Sequence, residues 1–349
     1  MQKSWTQGID SLKTSIKVVI GILLAGLFLW LAVSEVELDK VVEASRGMSF
    51  LWMIPFLFIV LGSHFFRALR WRLLINSDTV QPARITLLSG IMLGYLANIL
   101  FARLGEVTRP VYVARKIGES NSKMIGTVIL ERIIDTICLL LLMAFVLIFM
   151  VSDPEILQNL FGVDLTDSAF LMSFGWSALK IMAIVLVVIV GLYVALKMLS
   201  KKVQFVKKIF LKVRGITRTF IEGIFAIKEL KNWPLFLLYT TLIWTCYMLM
   251  TYLPFWMFDM HEVFGLNMGD ALVLTMVSAV GIIIPTPGGI GTYHLFITKS
   301  LYLLYAVPET LGLAYATITH TSTLVIIVVS TPILLAIDKF ITLKNNPKS

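Results

Sequence analysis

Apolar residues in this chain come in long unbroken runs. They show neither the alternation of a sheet strand nor the one-sided stripe of a soluble helix. A membrane span takes about 20 apolar residues at 1.5 Å each. Four runs reach that length, residues 124–151, 179–199, 233–258 and 311–337; residues 16–33 and 50–66 are slightly shorter and are also read as spans. Two runs are interrupted. Residues 86–101 lead into Arg103, Glu106 and Arg109, and residues 271–284 lead into Pro285-Thr-Pro-Gly-Gly-Ile-Gly291. Each of these predicts one arm of a hairpin.

Composition agrees with this pattern. Of 349 residues, 58% are hydrophobic and 15% charged, where a soluble surface usually needs about 25% charged residues. Mean hydropathy is +0.88. A cytosolic domain, a disordered chain and a nucleic-acid binder are therefore excluded. Cys138 and Cys246 both lie inside apolar runs and give no disulfide or zinc signal.

The net charge of +9 is unevenly spread, and the spread orients the chain. Loops 34–49, 151–174 and 259–270 are acid-rich and are placed outside. The N-terminus, the segment after residue 66 with Arg67, Arg70, Arg72 and Arg84, the segment 197–231 with ten Lys and Arg, and the C-terminal tail are placed in the cytoplasm. Full crossing by residues 86–101 would export Arg103, Arg109, Arg115 and Lys116, so a re-entrant hairpin from the cytoplasm is expected. Residues 271–306 are expected to dip in from outside, or to form two short spans.

The predicted fold is thus an all-α polytopic membrane protein. It forms one transmembrane domain over residues 1–349, an inverted repeat of three spans and one re-entrant hairpin per half (residues 16–151 and 175–337). Transporters are often built this way. Gly105 and Thr108 lie 184 residues before Gly289 and Thr292, a faint echo between the halves. Residues 197–231 have the pattern of a basic interfacial helix on anionic lipid. The first apolar run could pass as a signal peptide ending at Ala32-Val-Ser34; its loss would break the repeat, so it is read as a retained anchor.

Charges within a bilayer cost about 2.5–3.5 kcal/mol each on insertion scales and need a reason. Arg103, Glu106 and Arg109 at the first hairpin either staple it internally or meet an anionic head group. Arg67 and Arg70, three apart, either mark topology or hold lipid phosphate. Glu131, Arg132 and Asp135 share helical spacing. Glu131 is expected to pair with Arg103 or Arg109, and Asp135 carries an alternative proton or cation role. Gly288, Gly289 and Gly291 allow a sharp apex, and a helix from Thr292 would aim its N-terminal amides at the midplane, an end that favours anions. His294 and His320 are either helix-packing groups or proton-linked groups of the outer half; His64 is read as interfacial. No metal or cofactor motif is present.

Five motifs together resemble one family: Arg67-Ala-Leu-Arg70-Trp-Arg72, Gly94-Tyr-Leu-Ala-Asn98, Arg103-Leu-Gly-Glu106-Val-Thr-Arg109, Glu131-Arg132-Ile-Ile-Asp135 and Pro285-Thr-Pro-Gly-Gly-Ile-Gly291. The chain resembles the flippase-like membrane family, the transmembrane region of lysylphosphatidylglycerol synthases and their stand-alone relatives. The resemblance implies a bacterial or archaeal inner-membrane protein that moves lipids between leaflets. It departs from the family at Phe101-Ala102, where Pro is common, and at His294, where Glu is common. The dozen residues after the last span leave no room for the synthase domain, so aminoacyl transfer is not carried over.

The expectation is a lipid flippase of the bacterial inner membrane, with both termini cytoplasmic, acting on an anionic or phosphate-bearing phospholipid or polyprenyl lipid. Substrate would meet Arg67, Arg70, Arg103, Glu106, Arg109, Gly288, Gly289, Gly291 and Thr292. Glu131, Arg132, Asp135, His294 and His320 would gate the path or carry protons. The partners would be anionic membrane lipids, no nucleic acid, and a second copy if the chain forms a homodimer. The alternative is a membrane enzyme or scaffold acting on polyprenyl-phosphate or aminoacylated lipids in envelope biogenesis.

Overall fold

A computed structural model describes residues 38–75, 81–149, 230–284 and 286–345, with scattered positions elsewhere. The expected spans at residues 16–33 and 179–199, most of segment 197–231, the loop 151–174 and Pro285 lie outside the described residues. The described elements are α1 (Leu38–Arg46), a 3-10 turn (Phe50–Trp52), α2 (Met53–Leu74), α3 (Arg84–Leu100), α4 (Gly105–Ile117), α5 (Asn121–Phe149), α6 (Trp233–Met257), α7 (Met260–Val263), α8 (Met268–Ile283), a 3-10 turn (Pro287–Gly289), α9 (Thr292–Tyr305) and α10 (Glu309–Asn345). No strand occurs among them. Three helical stretches, Phe50–Leu74, Trp233–Met257 and Glu309–Ile341, are long and apolar enough to cross a membrane.

Burial runs opposite to that of a protein folded in water. Arg70 and Glu131 are fully buried, while Leu51 is 71% and Phe340 69% exposed. On α10, Val325, Val328, Val329, Ile333, Ile337 and Phe340 form an exposed apolar stripe, a surface that a water-soluble monomer seldom carries. Hydrocarbon is the solvent that this surface fits.

One boundary corrects the sequence reading. The second span does not end at Phe66; α2 continues two turns to Leu74. Arg67 and Arg70 therefore lie on a helix and inside the bundle, not in a cytoplasmic loop, because carboxylates on α5 pair with them. His64 is likewise buried, with its ring 4.4 Å from that of Tyr95, and is not interfacial.

α3 and α4 form the first hairpin. A methyl on Gly90 would meet Val113, and one on Gly94 would meet Arg109 and Gly105. Partner numbers rise as these fall, so the arms are antiparallel. At the tip Arg103 takes a left-handed φ of +63°, and the Asn98 side chain accepts a 2.7 Å hydrogen bond from the Gly105 N–H, satisfying a free amide at the start of α4. The arms touch backbone to backbone, since a Cβ on Gly105 would sit 2.2 Å from the Gly94 carbonyl oxygen.

α8 and α9 form the second hairpin, with Gly281 against Thr292 and Phe296. An Asn267–Asp270 capping box starts α8. Gly288, Gly289 and Gly291 have φ of +62°, +77° and +86°, which glycine adopts without a steric penalty. The 184-residue echo has no conformational counterpart: Gly105 opens a helix by close packing, whereas Gly289 turns the chain with a positive φ.

α10 runs along both hairpins. Its first part pairs with α9, as Gly312 against Thr298 and Thr319 Oγ1 3.2 Å from the Tyr293 hydroxyl. Its second part pairs with α3, where Thr331 Oγ1 donates to the Met92 carbonyl at 3.3 Å and Ser89 Oγ to the Leu334 carbonyl at 3.0 Å. The hairpin tips meet between these contacts: a methyl on Gly288 would lie 3.7 Å from the Ile99 Cα and 3.8 Å from a Leu324 methyl.

Two glycine substitutions should separate packing from propensity. Gly105→Ala forces the hairpin arms apart and should destabilise by about 1–3 kcal/mol. Gly62→Ala, whose new methyl meets nothing closer than Phe66 at 4.0 Å, should be neutral or stabilise by about 0.5–1 kcal/mol. Thermal unfolding in detergent reads both, with a drop in Tm for the first only.

Candidate functional site: a buried arginine cluster

Four helices converge on one charged centre. Arg67 and Arg70 sit one turn apart on α2, and Glu131 and Asp135 one turn apart on α5, so the same faces meet twice as the antiparallel helices pass. Arg70 Nη2 donates to Asp135 at 2.6 Å and to Glu131 at 3.3 Å. Arg67 lies 3.4 Å from Asp135 and 3.7 Å from Glu131. Arg109 donates to Glu131 from α4. Arg132 reaches Glu131 at 3.4 Å and Asp135 at 3.5 Å. α6 supplies neutral partners: the Tyr247 hydroxyl accepts from Arg67, and Thr240 Oγ1 accepts from Arg70 at 3.5 Å.

Aromatic faces cover the guanidinium groups. Arg109 lies over the Trp71 ring at 4.1 Å, and Arg67 lies about equally far from Tyr95 and Tyr247, at 6.0 and 5.9 Å. Trp71 is held by its own hydrogen bond to Thr127 Oγ1 at 2.9 Å. Desolvated contacts of this kind are worth about 2 kcal/mol each and fix the cations' positions as well as their energy.

Charge in the cluster does not balance. Arg67, Arg70, Arg109 and Arg132 bring four positive charges, and Glu131 and Asp135 two negative ones, a net of +2. The Nε atoms of all four arginines are buried without a hydrogen-bond partner. The deep members are sealed, whereas the Arg132 side chain is 38% exposed and opens one side of the cluster. Such a centre has surplus donors and surplus positive charge, the chemistry that an anion complements.

The other sequence-predicted residues lie elsewhere. Arg103 and Glu106 are exposed at the tip of the first hairpin; Glu106 lies in the first turn of α4, where a carboxylate complements the helix dipole. Gly288, Gly289, Gly291, Thr292, His294 and His320 form a second group. The Gly291 N–H donates to His294 Nδ1 at 3.4 Å, Thr292 Oγ1 donates to the Gly289 carbonyl at 3.2 Å, and a methyl on Gly289 would lie 3.5 Å from the His320 ring. The His294 and His320 rings are 5.2 Å apart. Thus the single pocket expected around Arg103, Arg109 and Gly289 divides in two. Arg109 belongs with α2 and α5, and the glycines with α10. Among the described residues no hydrogen bond or ion pair joins Arg109 and its partners to the His294–His320 group.

Sequence reasoning missed several members. Tyr95, Thr240 and Tyr247 looked like ordinary span residues, and Trp71 was read as an interfacial tryptophan at the end of the second span; it is fully buried instead. Asp338 was passed over as part of a charged tail, yet it is buried, accepting from Thr86 Oγ1 at 2.5 Å and from the Tyr112 hydroxyl, with Lys116 Nζ at 3.4 Å. Its signal was present: a lone acid next to an apolar run, in register with Tyr112 and Lys116, themselves four apart.

Outward apolar faces and an internal charge cluster define a polytopic helical membrane protein. Comparison with known proteins narrows the class. A family model described as the lysylphosphatidylglycerol synthase TM region matches residues 18–330, and the chain belongs to that family. It is also similar to a UPF0104 membrane protein of Pyrococcus horikoshii, at 25% identity over 324 residues, covering 87% of this chain and 90% of that protein. No solved structure matches.

Glu131 is the keystone, since all four arginines contact it. Glu131→Gln should leave three sealed guanidinium groups with one fewer anion and cost about 3–5 kcal/mol. Thermal unfolding in detergent checks it. A fall in Tm no larger than that of an exposed control such as Glu106→Gln would refute the keystone role.

Proposed function

We propose that this chain is a lipid translocase rather than an enzyme, moving anionic or phosphate-bearing lipids between the leaflets of the membrane. The observation that carries the proposal is the +2 surplus on the buried arginine cluster. Sealing that much charge away from water is costly without an anion to meet it. Membership of a lipid-related membrane family agrees with this reading.

In this reading the two opposed hairpins are re-entrant and belong to the two halves of an inverted repeat. The head group passes their touching tips while the acyl chains stay in lipid. Arg67, Arg70, Arg109 and Arg132 hold the phosphate, and Glu131 and Asp135 keep the guanidinium groups apart and oriented. The His294–His320 group lines the other side of the tip contact and gates it. In this reading the chain sits in the inner membrane with both termini cytoplasmic, an orientation that the loop charges favour.

Purified protein in neutral liposomes should speed leaflet exchange of a labelled anionic phospholipid above that of protein-free vesicles. Arg109→Lys keeps the charge but loses the planar fork and the stacking on Trp71; it should slow exchange by about tenfold or more, the loss of one charged hydrogen bond, with helical content unchanged. Wild-type exchange no faster than in empty vesicles would remove the translocase reading. Chemical conversion of the lipid without exchange would favour a membrane enzyme.

A further inference from the structure

We infer that one face of the first hairpin carries a seat for a single anionic phospholipid, separate from the arginine cluster and independent of the translocase reading. Thr108, Val111, Tyr112 and Arg115 follow one another along α4 at helical spacing, so they form one stripe. The adjoining stripe, with Arg109 and Val113, is the one buried in the bundle. With Leu93 of α3 and Lys116, the first stripe lines a cleft of about 520 Å³. That volume falls within the roughly 300–1,000 Å³ of small-molecule sites.

The lining is divided in the way a lipid is. Leu93, Val111 and the Tyr112 ring make an apolar wall, and Arg115 and Lys116 stand at one end, in the last turn of α4 at the base of the hairpin. Lys116 Nζ lies 3.4 Å from the buried Asp338, and Glu119 lies 3.7 Å from Lys123. Arg115, Lys116 and Lys123 against Glu119 and Asp338 leave a surplus of +1. A phosphodiester lipid with an uncharged head group carries one negative charge and cancels it, whereas a zwitterionic lipid brings a further cation beside Lys116. The Thr108 hydroxyl, two turns deeper than Arg115, is buried and has no hydrogen-bond partner among the described residues. Phosphate at Arg115 and an ester carbonyl accepting from Thr108 follow the order of those groups along a glycerolipid. The seat also adjoins the junction of the hairpin with α10, because Lys116 and the Tyr112 hydroxyl both meet Asp338. A lipid held there braces that junction, so stabilisation reports its occupancy.

The test titrates full-length, delipidated protein in detergent and follows Tm. The probes are short-chain phosphatidylglycerol, phosphatidylcholine with identical tails, and the tail-free head group glycerophosphoglycerol. Phosphatidylglycerol should raise Tm at about tenfold lower concentration than phosphatidylcholine, the worth of one charged hydrogen bond, and the tail-free head group should have no effect at those concentrations. Arg115→Gln, at an exposed side chain, should bring the two lipids level. Val111→Trp fills the cleft without changing charge and should abolish stabilisation by both. Lys123→Gln removes a cation outside the cleft and should respond as wild type does. Equal potency of the two lipids on wild type, or an equal effect of the tail-free head group, would overturn the inference. So would Lys123→Gln proving as damaging as Arg115→Gln, which is general attraction of charge, or an undiminished response in Val111→Trp. If Val111→Trp does not fold, native mass spectrometry decides: wild type should retain one phosphatidylglycerol per chain and Arg115→Gln none, and equal retention would overturn the seat. None of these readouts involves leaflet exchange, so the seat and the transport reading fail separately.

Discussion

Everything in the described bundle is arranged around the cost of holding guanidinium and carboxylate groups out of water. That cost is several kcal/mol per ion even after relaxation, and only well-placed partners recover it. Arg67 and Arg70 fix α2 against α5 because both must reach Glu131 and Asp135. Arg109 fixes the first hairpin to the same point. Hydrocarbon offers no driving force for one apolar helix to choose another, so these polar contacts supply much of the specificity of packing.

Small residues do the complementary work. Where α3 and α4 approach, Gly94 and Gly105 remove the side chains that would hold them apart. Where the chain reverses at residues 288–291, three glycines take left-handed backbone. Polar contacts then set the register of α10 against both hairpins, from Thr319 at one end to Asp338 at the other. Charge decides which elements meet, and glycine decides how close they come.

Much of this was legible in the sequence because hydropathy in a lipid-embedded chain reports solvent directly. The long runs at residues 233–258 and 311–337 correspond to α6 and α10. Both interrupted runs became hairpin arms, with helix starts at Gly105 and Thr292. The end of α2 was not legible, because the rule that places arginines in cytoplasmic loops describes unpaired charges. Arg67 and Arg70 are paired by residues more than sixty positions away, and no local pattern reports that. Proximity in sequence also misled: Arg103 and Arg109 lie within one motif, yet the tip carries one outward and α4 turns the other in. Tyr247 could not be found at all, since a tyrosine in an apolar run looks the same whether it faces lipid or a guanidinium group.

The backbone contact between Gly94 and Gly105 has a mechanical consequence. At that point main chain meets main chain with no side chain between to repack, so the arms of the hairpin are held close near its tip. At the other end of the hairpin the chain turns from α4 into α5 at Gly118. That residue has φ +72° and open space where a side chain would begin, so backbone geometry and not packing demands glycine there, and the hairpin is tied to α5 through Arg109 and Glu131 instead.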